Sequence, residues 1–284
     1  MIKNLFLLIC VLFLIFYDVT SYRFQKYLTI HFIDVGQGDA ILIQTVDNKY
    51  VLIDGGPSSD LLSSLGELMS YSQFAIDLVV ATHGDSDHIN GLVEVAERYR
   101  VDKFLHNGEV TDTLTHKELF KKLNTSKTEI LLASRGNKIT VGCCLELSLL
   151  WPDQSLAQEL DTNDRSVSMI LDYIDFELYL AGDLSYEIEE RITEAITINV
   201  EIMKLSHHGS RTSTSERLIK NLNADKAIIS AGNENKYGHP HKEVLEMLDD
   251  ARVEYFRTDL QGNIKVVTDG KSQWITTSKN PTKI

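Results

Sequence analysis

The sequence has few cysteines, and this shortage gives little support for a disulfide scaffold. There are three cysteines in 284 residues. Cys10 lies in an apolar leader, and Cys143 and Cys144 are neighbours in a strand-like stretch, where we expect their side chains to point to opposite faces. We therefore expect no structural disulfide.

Positive charge is also in short supply. The chain carries 28 lysines and arginines against 41 aspartates and glutamates, which gives a formal net charge of −13. Tight non-specific binding to nucleic acid needs a basic face that neutralises phosphates, so this balance argues against it. It does not exclude a nucleic-acid substrate that metal ions hold in a local site.

The sequence also lacks low-complexity linkers and repeats of fixed period, so one domain is the simplest organisation.

One apolar run stands at the N-terminus. Residues 5–17 are uncharged, Lys3 precedes them and Asp18 follows. The run is short for a membrane span and has the length of a signal-peptide core, but no small-x-small cleavage pattern follows. We predict that residues 1–22 are a signal peptide or an uncleaved membrane anchor, with a secreted or membrane-anchored, extracytoplasmic domain at residues 28–278. A buried first helix is the alternative.

From Leu28 onward, short apolar strands alternate with amphipathic helical stretches. Residues 40–53 and 166–181 read as two hairpins, one early in each half of the chain. Hairpins with helices between them predict an α/β fold in which two mixed sheets pack face to face with helices outside. The expected architecture is a four-layer αββα sandwich.

The densest group of polar side chains follows the apolar run at residues 78–80. His83, Asp85, Asp87 and His88 fall within one short turn, before an amphipathic run that we expect to open at Asn90. Donors at this density repel one another unless a cation neutralises them, so the pattern predicts a metal site. A solvated turn that only caps the following helix is the alternative.

Further aspartate, histidine and glutamine side chains lie at the ends of other predicted strands or in the bends between strands. Because loops that converge at one edge of a sheet form sites, we expect these residues to meet the turn at residues 83–88. They are Asp34, Gln37, Asp39, Asp183, His207, His208, His239 and His241.

Taken in order, these motifs resemble the metallo-β-lactamase superfamily. They are His-x-Asp-x-Asp-His at 83–88, Gly-Asp at 182–183, His-His-Gly-Ser at 207–210 and Gly-His-Pro at 238–240. The bend at residues 32–40 and the Asp-Gly-Gly turn at 54–56 resemble, within that superfamily, the hydrolase domain of the competence protein ComEC and its stand-alone relatives. Asp85 replaces the second histidine of the usual superfamily motif, as in many ComEC-like members. An added carboxylate favours manganese or magnesium over zinc, so the metal is open.

The resemblance implies two divalent metal ions, zinc or manganese. Ligands of the first would be His83 and Asp85 with one of His207 and His208. Ligands of the second would be Asp87, His88 and His239, and Asp183 would bridge the two ions. Catalytic roles would fall to Asp87, Asp183 and His208. Residues expected to support the ligands or to touch substrate are Asp34, Gln37, Asp39, Asp54, Asn163, Ser166, Ser210 and His241.

The function that the resemblance implies is a metal-dependent hydrolase that uses a metal-activated hydroxide. Our first hypothesis is a phosphodiesterase or nuclease, with a small phosphodiester or nucleic acid as substrate, contact with the membrane through the N-terminal segment and no obligate protein partner. The same chemistry on a carboxylic ester, lactone or amide is one alternative, because the superfamily does both. A non-catalytic metal-binding module is the other.

Overall fold

Two mixed sheets form the centre of the computed structural model, which describes residues 26–109, 111–155 and 160–279. The first sheet has the order β15-β14-β1-β2-β3-β4-β5-β6. Its strands are β1 (Leu28–Phe32), β2 (Ile41–Gln44), β3 (Tyr50–Ile53), β4 (Ala75–Ala81), β5 (Arg100–His106), β6 (Glu129–Leu132), β14 (Ile264–Thr268) and β15 (Gln273–Thr277). Neighbouring strands from β15 to β3 are antiparallel, and those from β3 to β6 are parallel.

The second sheet has the order β13-β12-β11-β10-β9-β8-β7. Its strands are β7 (Lys138–Val141), β8 (Leu145–Trp151), β9 (Ser168–Tyr173), β10 (Phe176–Leu180), β11 (Ile202–Lys204), β12 (Lys226–Ile229) and β13 (Glu254–Arg257). Here β7 to β10 are antiparallel neighbours and β10 to β13 are parallel. Each sheet therefore begins with hairpins and continues in parallel strands.

Helices cover the outer face of each sheet. The first sheet carries α1 (Leu61–Leu68), α2 (Ser86–Arg98) and α3 (Leu114–Thr125), and the second carries α4 (Tyr186–Thr193), α5 (Glu216–Leu222) and α6 (Lys242–Ala251). A short helix, α7 (Thr258–Gln261), follows β13. Alternate strand residues such as Leu78 and Leu178 are buried between the sheets, and their neighbours pack under the helices. The predicted four-layer αββα sandwich is confirmed.

The Asp-Gly-Gly turn after β3 brings α2 unusually close to the first sheet. A Cβ atom on Gly91 would lie 2.0 Å from the carbonyl oxygen of Gly55, so the helix backbone rests directly on the turn. The Gly55 N–H donates to the carbonyl of His88 at 2.6 Å. Only glycine at both positions allows this contact, and the contact fixes where the first turn of α2 lies.

Two local predictions were wrong. The helix after the polar turn begins at Ser86, with Asp85 at its N-cap position, so Asp87 and His88 belong to its first turn. Cys143 and Cys144 lie in the turn between β7 and β8 and not in a strand, and their Sγ atoms are 2.6 Å apart. Consecutive residues of a turn do not alternate between faces as strand residues do.

The N-terminal segment predicted as a signal or anchor, residues 1–22 with Cys10, lies outside the described residues. Among the residues described, none of the helices has both the length and the apolar character needed to cross a membrane. The extent of the domain, residues 28–278, stays a prediction.

Candidate metal centre

The carboxyl ends of the parallel strands in both sheets meet at one edge of the sandwich. Asp54 follows β3 and His83 follows β4 in the first sheet, while Asp183 follows β10 and His208 follows β11 in the second. The Val167 N–H donates to the carbonyl of Thr82 at 2.9 Å and so links the two sheets at this edge. Side chains distant in sequence are thereby brought together where α/β folds commonly bind ligands.

Three buried histidines at this edge are each anchored through Nδ1. His88 Nδ1 lies 2.8 Å from a carboxylate oxygen of Asp54, and His208 Nδ1 lies 2.9 Å from the carbonyl oxygen of Ser230. Both partners accept, so each Nδ1 carries a proton and each Nε2 is the nitrogen that can give its lone pair to a metal ion. The anchoring decides which ring nitrogen is free to bind a metal.

The third histidine is anchored through a hydroxyl relay. Thr82 Oγ1 donates to Asp54 Oδ2 at 2.7 Å, so it accepts from His83 Nδ1, which lies at 3.0 Å. His83 Nε2 is consequently unprotonated as well. Asp54, which is fully buried, thus sets the tautomers of His83 and His88 together.

The free atoms of these side chains converge. His88 Nε2 and His208 Nε2 lie 3.4 and 3.5 Å from Asp183 Oδ2, and His208 Nε2 is 3.4 Å from Asp87 Oδ2. Among the described residues, four groups have donor atoms within 4.8 Å of one another, and two of them do not include Asp39: one is formed by His83, His88 and Asp183, the other by Asp87, His88 and His208. Imidazole and carboxylate donors in this arrangement fit divalent metal ions such as zinc or manganese.

Four buried atoms in these groups have no hydrogen-bond partner: Nε2 of His83, His88 and His208, and Oδ1 of Asp183. An unsatisfied buried polar atom costs about 1–3 kcal/mol, so four at one place call for a cation. The residues present therefore fit the divalent metals that the fold binds.

The charges of the cluster respond to burial and to one another. Burial lowers the pKa of His83 to about 3 and keeps its imidazole neutral. Burial also opposes charge on His88, but the carboxylates of Asp183 and Asp54 outweigh it and raise the pKa of His88 well above its usual value. Burial would raise the pKa of Asp183, yet His88 and His208 hold it well below its ordinary range. The cluster thus favours positive charge, which a metal ion can supply in place of the proton.

A buried ion pair lies behind the histidines. Asp39 and Lys204 are both fully buried, and the Lys204 ammonium contacts the Asp39 carboxylate and donates to the carbonyl of Leu205 at 3.1 Å. Asp39 Oδ1 lies 3.7 Å from His208 Nδ1, and Oδ2 lies 4.0 Å from His88 Nδ1. Asp39 therefore lies behind two of the three histidines.

At the rim, the structure groups the residues differently from the prediction. His208, and not His239, stands with Asp87 and His88, and the buried one of the histidine pair is His208. His207 is partly exposed, with Nε2 3.8 Å from Asp183 Oδ2. The His239 ring lies 5.5 Å from that of His207 and 6.2 Å from that of His208.

Asp85 and His241 also lie on the rim. Asp85 is half-exposed, with Oδ2 3.9 Å from His83 Nε2, so it faces the His83 side of the cluster. His241 holds the N-cap position of α6, and its Nδ1 accepts from the Arg211 N–H at 3.2 Å.

Of the other predicted supporting residues, Ser166 lies directly beside the centre and Ser210 and Gln37 lie in its loops. Ser166 is fully buried, and its hydroxyl accepts from the Asp183 N–H at 3.0 Å. The Ser210 hydroxyl bonds Thr212 within its own loop at 2.9 Å. Gln37 Oε1 accepts from the Gly232 N–H at 3.1 Å and ties the bend after β1 to the loop after β12.

Asp34 and Asn163 are not drawn into the cluster. The Asp34 carboxylate pairs with Lys279 at 3.0 Å. Its role in supporting the ligands or touching substrate stays a prediction. Asn163 begins a short 3₁₀ turn, Asn163–Arg165, where its carbonyl accepts from the Ser166 N–H at 2.9 Å.

Sequence reasoning missed Thr82, Ser230 and Lys204. Threonine and serine at strand ends carry no distinctive signal, and Ser230 acts through its backbone carbonyl alone. Lys204 could have been noticed, because a lysine at the end of an apolar strand, three residues before the His-His motif, needs a buried partner.

The αββα sandwich and the donor cluster at the ends of its parallel strands define a class of protein. It is the class of metal-dependent hydrolase folds whose site can hold two metal ions. Residues 33–232 match the model of the metallo-beta-lactamase superfamily, and the chain belongs to that superfamily. The predicted resemblance is confirmed, both to the superfamily and, within it, to ComEC-like competence proteins.

Two curated relatives and one solved structure illustrate the relationship. ComE operon protein 3 of Bacillus subtilis is 29% identical over 252 residues, which cover 82% of this chain and 32% of that protein. Recombination protein 2 of Haemophilus influenzae is 24% identical over 277 residues, or 92% of this chain and 31% of that protein. The chain thus spans about a third of the length of these relatives. Igni18, a metallo hydrolase from Ignicoccus hospitalis, shares the fold with a TM-score of 0.55 and 16% identity, covering 84% of this chain and 98% of that one.

Proposed function

We propose that this protein is a metal-dependent phosphodiesterase or nuclease. The observation that carries the proposal is the convergence of three Nε2 lone pairs, from His83, His88 and His208, on the carboxylate of Asp183. The histidines are oriented by Nδ1 hydrogen bonds, so the centre is built before any ligand arrives. The phosphodiester specificity is supported by the ComEC-like relatives, whose names concern competence and recombination.

The ligand sets that we propose differ from those expected from the sequence. One ion would take His83, Asp85 and Asp183, and the other would take Asp87, His88 and His208. Asp183 shares a group of donor atoms with His83 and lies 3.5 Å from His208 Nε2, so it would serve both sets. Two such ions, when bound, activate a water molecule and neutralise the charge of a phosphate.

Other residues of the chain would orient the water molecule and bind the substrate. Asp87, whose carboxylate is partly exposed, can orient the attacking water and hold its proton. His207 is partly exposed at the rim, and burial lowers its pKa, so it stays neutral and can donate a hydrogen bond to a substrate oxygen. Arg211 is exposed on the adjoining loop and offers a cation to a phosphate.

The test is metal content and hydrolysis of bis-p-nitrophenyl phosphate by the full chain, with zinc or manganese. Asp87→Asn should lower turnover by about 100-fold or more, because the water and one metal lose their carboxylate. Asp112→Asn is the matched control, since that carboxylate is fully exposed. Metal binding without phosphodiester turnover would favour the ester, lactone or amide alternative. A protein that binds no metal would refute an enzymatic function for this centre.

Location and partners follow as part of the same proposal. We expect the domain to act outside the cytoplasmic membrane, held or exported by the segment at residues 1–22. A nucleic-acid substrate accords with the ComEC-like relatives, and the net charge of −13 requires that metals and a few local cations hold it. Fractionation of cells that produce the full chain, with protease added from outside, tests this location.

A further inference from the structure

An exposed aromatic ring lies beside the metal centre and has no role in the core. Tyr237 is 52% exposed, in the loop between β12 and α6. Its ring stacks on His239, with centroids 5.7 Å apart and planes 22° from parallel. His239 in turn lies 5.5 Å from the ring of His207. The tyrosine is therefore one ring away from the histidines at the rim.

The loop that carries this ring is held rigidly by one side chain. Asn235 Nδ2 donates to the carbonyls of Gly232 and His239, at 2.9 and 2.6 Å. Its Oδ1 accepts from the N–H groups of Tyr237 and His239, at 3.2 and 3.0 Å. Asn235 thus bonds to both Tyr237 and His239. Such preorganisation lowers the entropy that a binding site loses when a ligand arrives.

Cations stand beside the ring in a protein that is otherwise acidic. The Lys236 ammonium lies 4.9 Å from the centre of the Tyr237 ring. Exposed Arg211 lies on the neighbouring loop, which is tied to this one through the hydrogen bond from its N–H to His241. An aromatic face with adjacent cations is the combination that binds a base and its flanking phosphates in single-stranded nucleic acid.

We propose that Tyr237 and Lys236 form a subsite that stacks an unpaired nucleobase next to the phosphate at the metal centre. The inference rests on the proposed phosphodiesterase function and narrows it to single-stranded nucleic acid. A base inside a duplex has both faces covered by its neighbours, so only an unpaired or terminal base can reach the ring. Stacking on one aromatic side chain does not distinguish the four bases, so the subsite would accept any sequence.

The test compares two fluorescein-labelled strands of equal length and equal charge, an oligothymidylate and an abasic strand. Binding to the full chain is followed by fluorescence anisotropy with calcium in place of zinc or manganese, so that a divalent ion still holds the phosphate while cleavage is slow. Wild-type protein should prefer the strand with bases by about 5- to 150-fold, the range for one stacked base. Tyr237→Leu should abolish the preference, and Tyr237→Phe, which keeps the ring, should retain it.

Tyr71→Leu is the matched control. Tyr71 is 98% exposed, and it precedes β4, at the edge of the sheet opposite to the metal centre. That variant should keep the wild-type preference. Equal binding of the two strands by wild-type protein, or an unchanged preference in Tyr237→Leu, would overturn the inference.

Failure of the proposed function gives a different result. It is measured separately, as turnover of bis-p-nitrophenyl phosphate with metal added. A preference for bases that depends on Tyr237 without any such turnover would leave the subsite standing and refute the phosphodiesterase function.

Discussion

Asp54 controls two metal-binding histidines at once, and replacing it with asparagine tests that arrangement. In the native protein, Asp54 accepts from His88 Nδ1, from Thr82 Oγ1 and from the Thr82 N–H, at 2.8, 2.7 and 2.8 Å. Asp54 has a φ of 58°, a left-handed conformation that asparagine adopts readily, so Asp54→Asn introduces no new backbone strain.

The substitution should invert both tautomers. The amide oxygen keeps the Thr82 N–H, so the NH₂ group replaces the oxygen that faced Thr82 Oγ1 and His88 Nδ1. Thr82 must then accept from the amide and donate to His83 Nδ1, and His88 Nδ1 must accept as well. Each Nε2 would carry a proton that points at the metal position.

The loss of metal affinity follows from the two hydrogen-bonded branches, one from Asp54 to His88 and one from Asp54 through Thr82 to His83. Loss of an orienting partner weakens metal binding by about 10- to 100-fold, or about 1.4–2.7 kcal/mol. Asp54→Asn affects two histidines and should weaken it by at least about 100-fold, because neighbouring effects do not add exactly but act in the same direction here. Thr82→Val breaks only the branch to His83 and should cost about 10- to 100-fold.

Competition against a chromophoric zinc chelator measures the dissociation constants. Thermal unfolding without metal shows that each variant is folded, and Asp112→Asn, at a fully exposed carboxylate, should bind like wild type. Unchanged metal affinity in folded Asp54→Asn would refute the reasoning, and so would a Thr82→Val effect larger than that of Asp54→Asn.

Three further predictions concern single side chains. Lys204→Met should destabilise the fold by about 3–5 kcal/mol, because the buried Asp39 carboxylate loses its cation, and adding Asp39→Asn should restore part of the melting temperature. His208→Ala should lower metal content and abolish turnover, whereas His207→Ala should retain metal and mainly raise KM; the reverse pattern would contradict the ligand set. Burial raises the pKa of Glu189 from 4.5 to about 8, so the folded protein keeps a proton that the unfolded chain releases. Stability should therefore fall as pH rises between these values, and Glu189→Gln should gain in melting temperature relative to wild type at pH 8 but not at pH 5.

Much of the fold was predictable because its signals are local. Apolar runs joined by short polar turns indicated the hairpins of β2 with β3 and of β9 with β10, and the helical period indicated α1, α3 and α6. β7 (Lys138–Val141) was missed because it is only four residues long, lies at a sheet edge and has a single buried residue. The beginning of α2 was placed too late because its first turn is polar, and a polar first turn gives no hydrophobic period.

The residues of the metal centre were predictable from motifs, but their grouping was not. Strand geometry suggested that one of His207 and His208 faces the site, yet both residues have left-handed backbone angles, with φ of 49° and 56°. Alternation along a strand does not apply to such a turn, so only the folded backbone decides that His208 is buried and His207 is at the rim.

Lys204 shows why the supporting residues escape sequence reasoning. The partner that neutralises its buried charge is Asp39, which is far away in the chain and contacts Lys204 across the interface of the two sheets. A buried ion pair of this kind is costly in stability unless both partners are satisfied, so Lys204 must serve something besides packing. Asp39 lies within 4.0 Å of Nδ1 of both His88 and His208, so Lys204 holds the negative charge of Asp39 behind the protonated side of each ring. That charge favours the Nδ1–H tautomers that Asp54 and Ser230 select, and so turns two lone pairs toward the metal position.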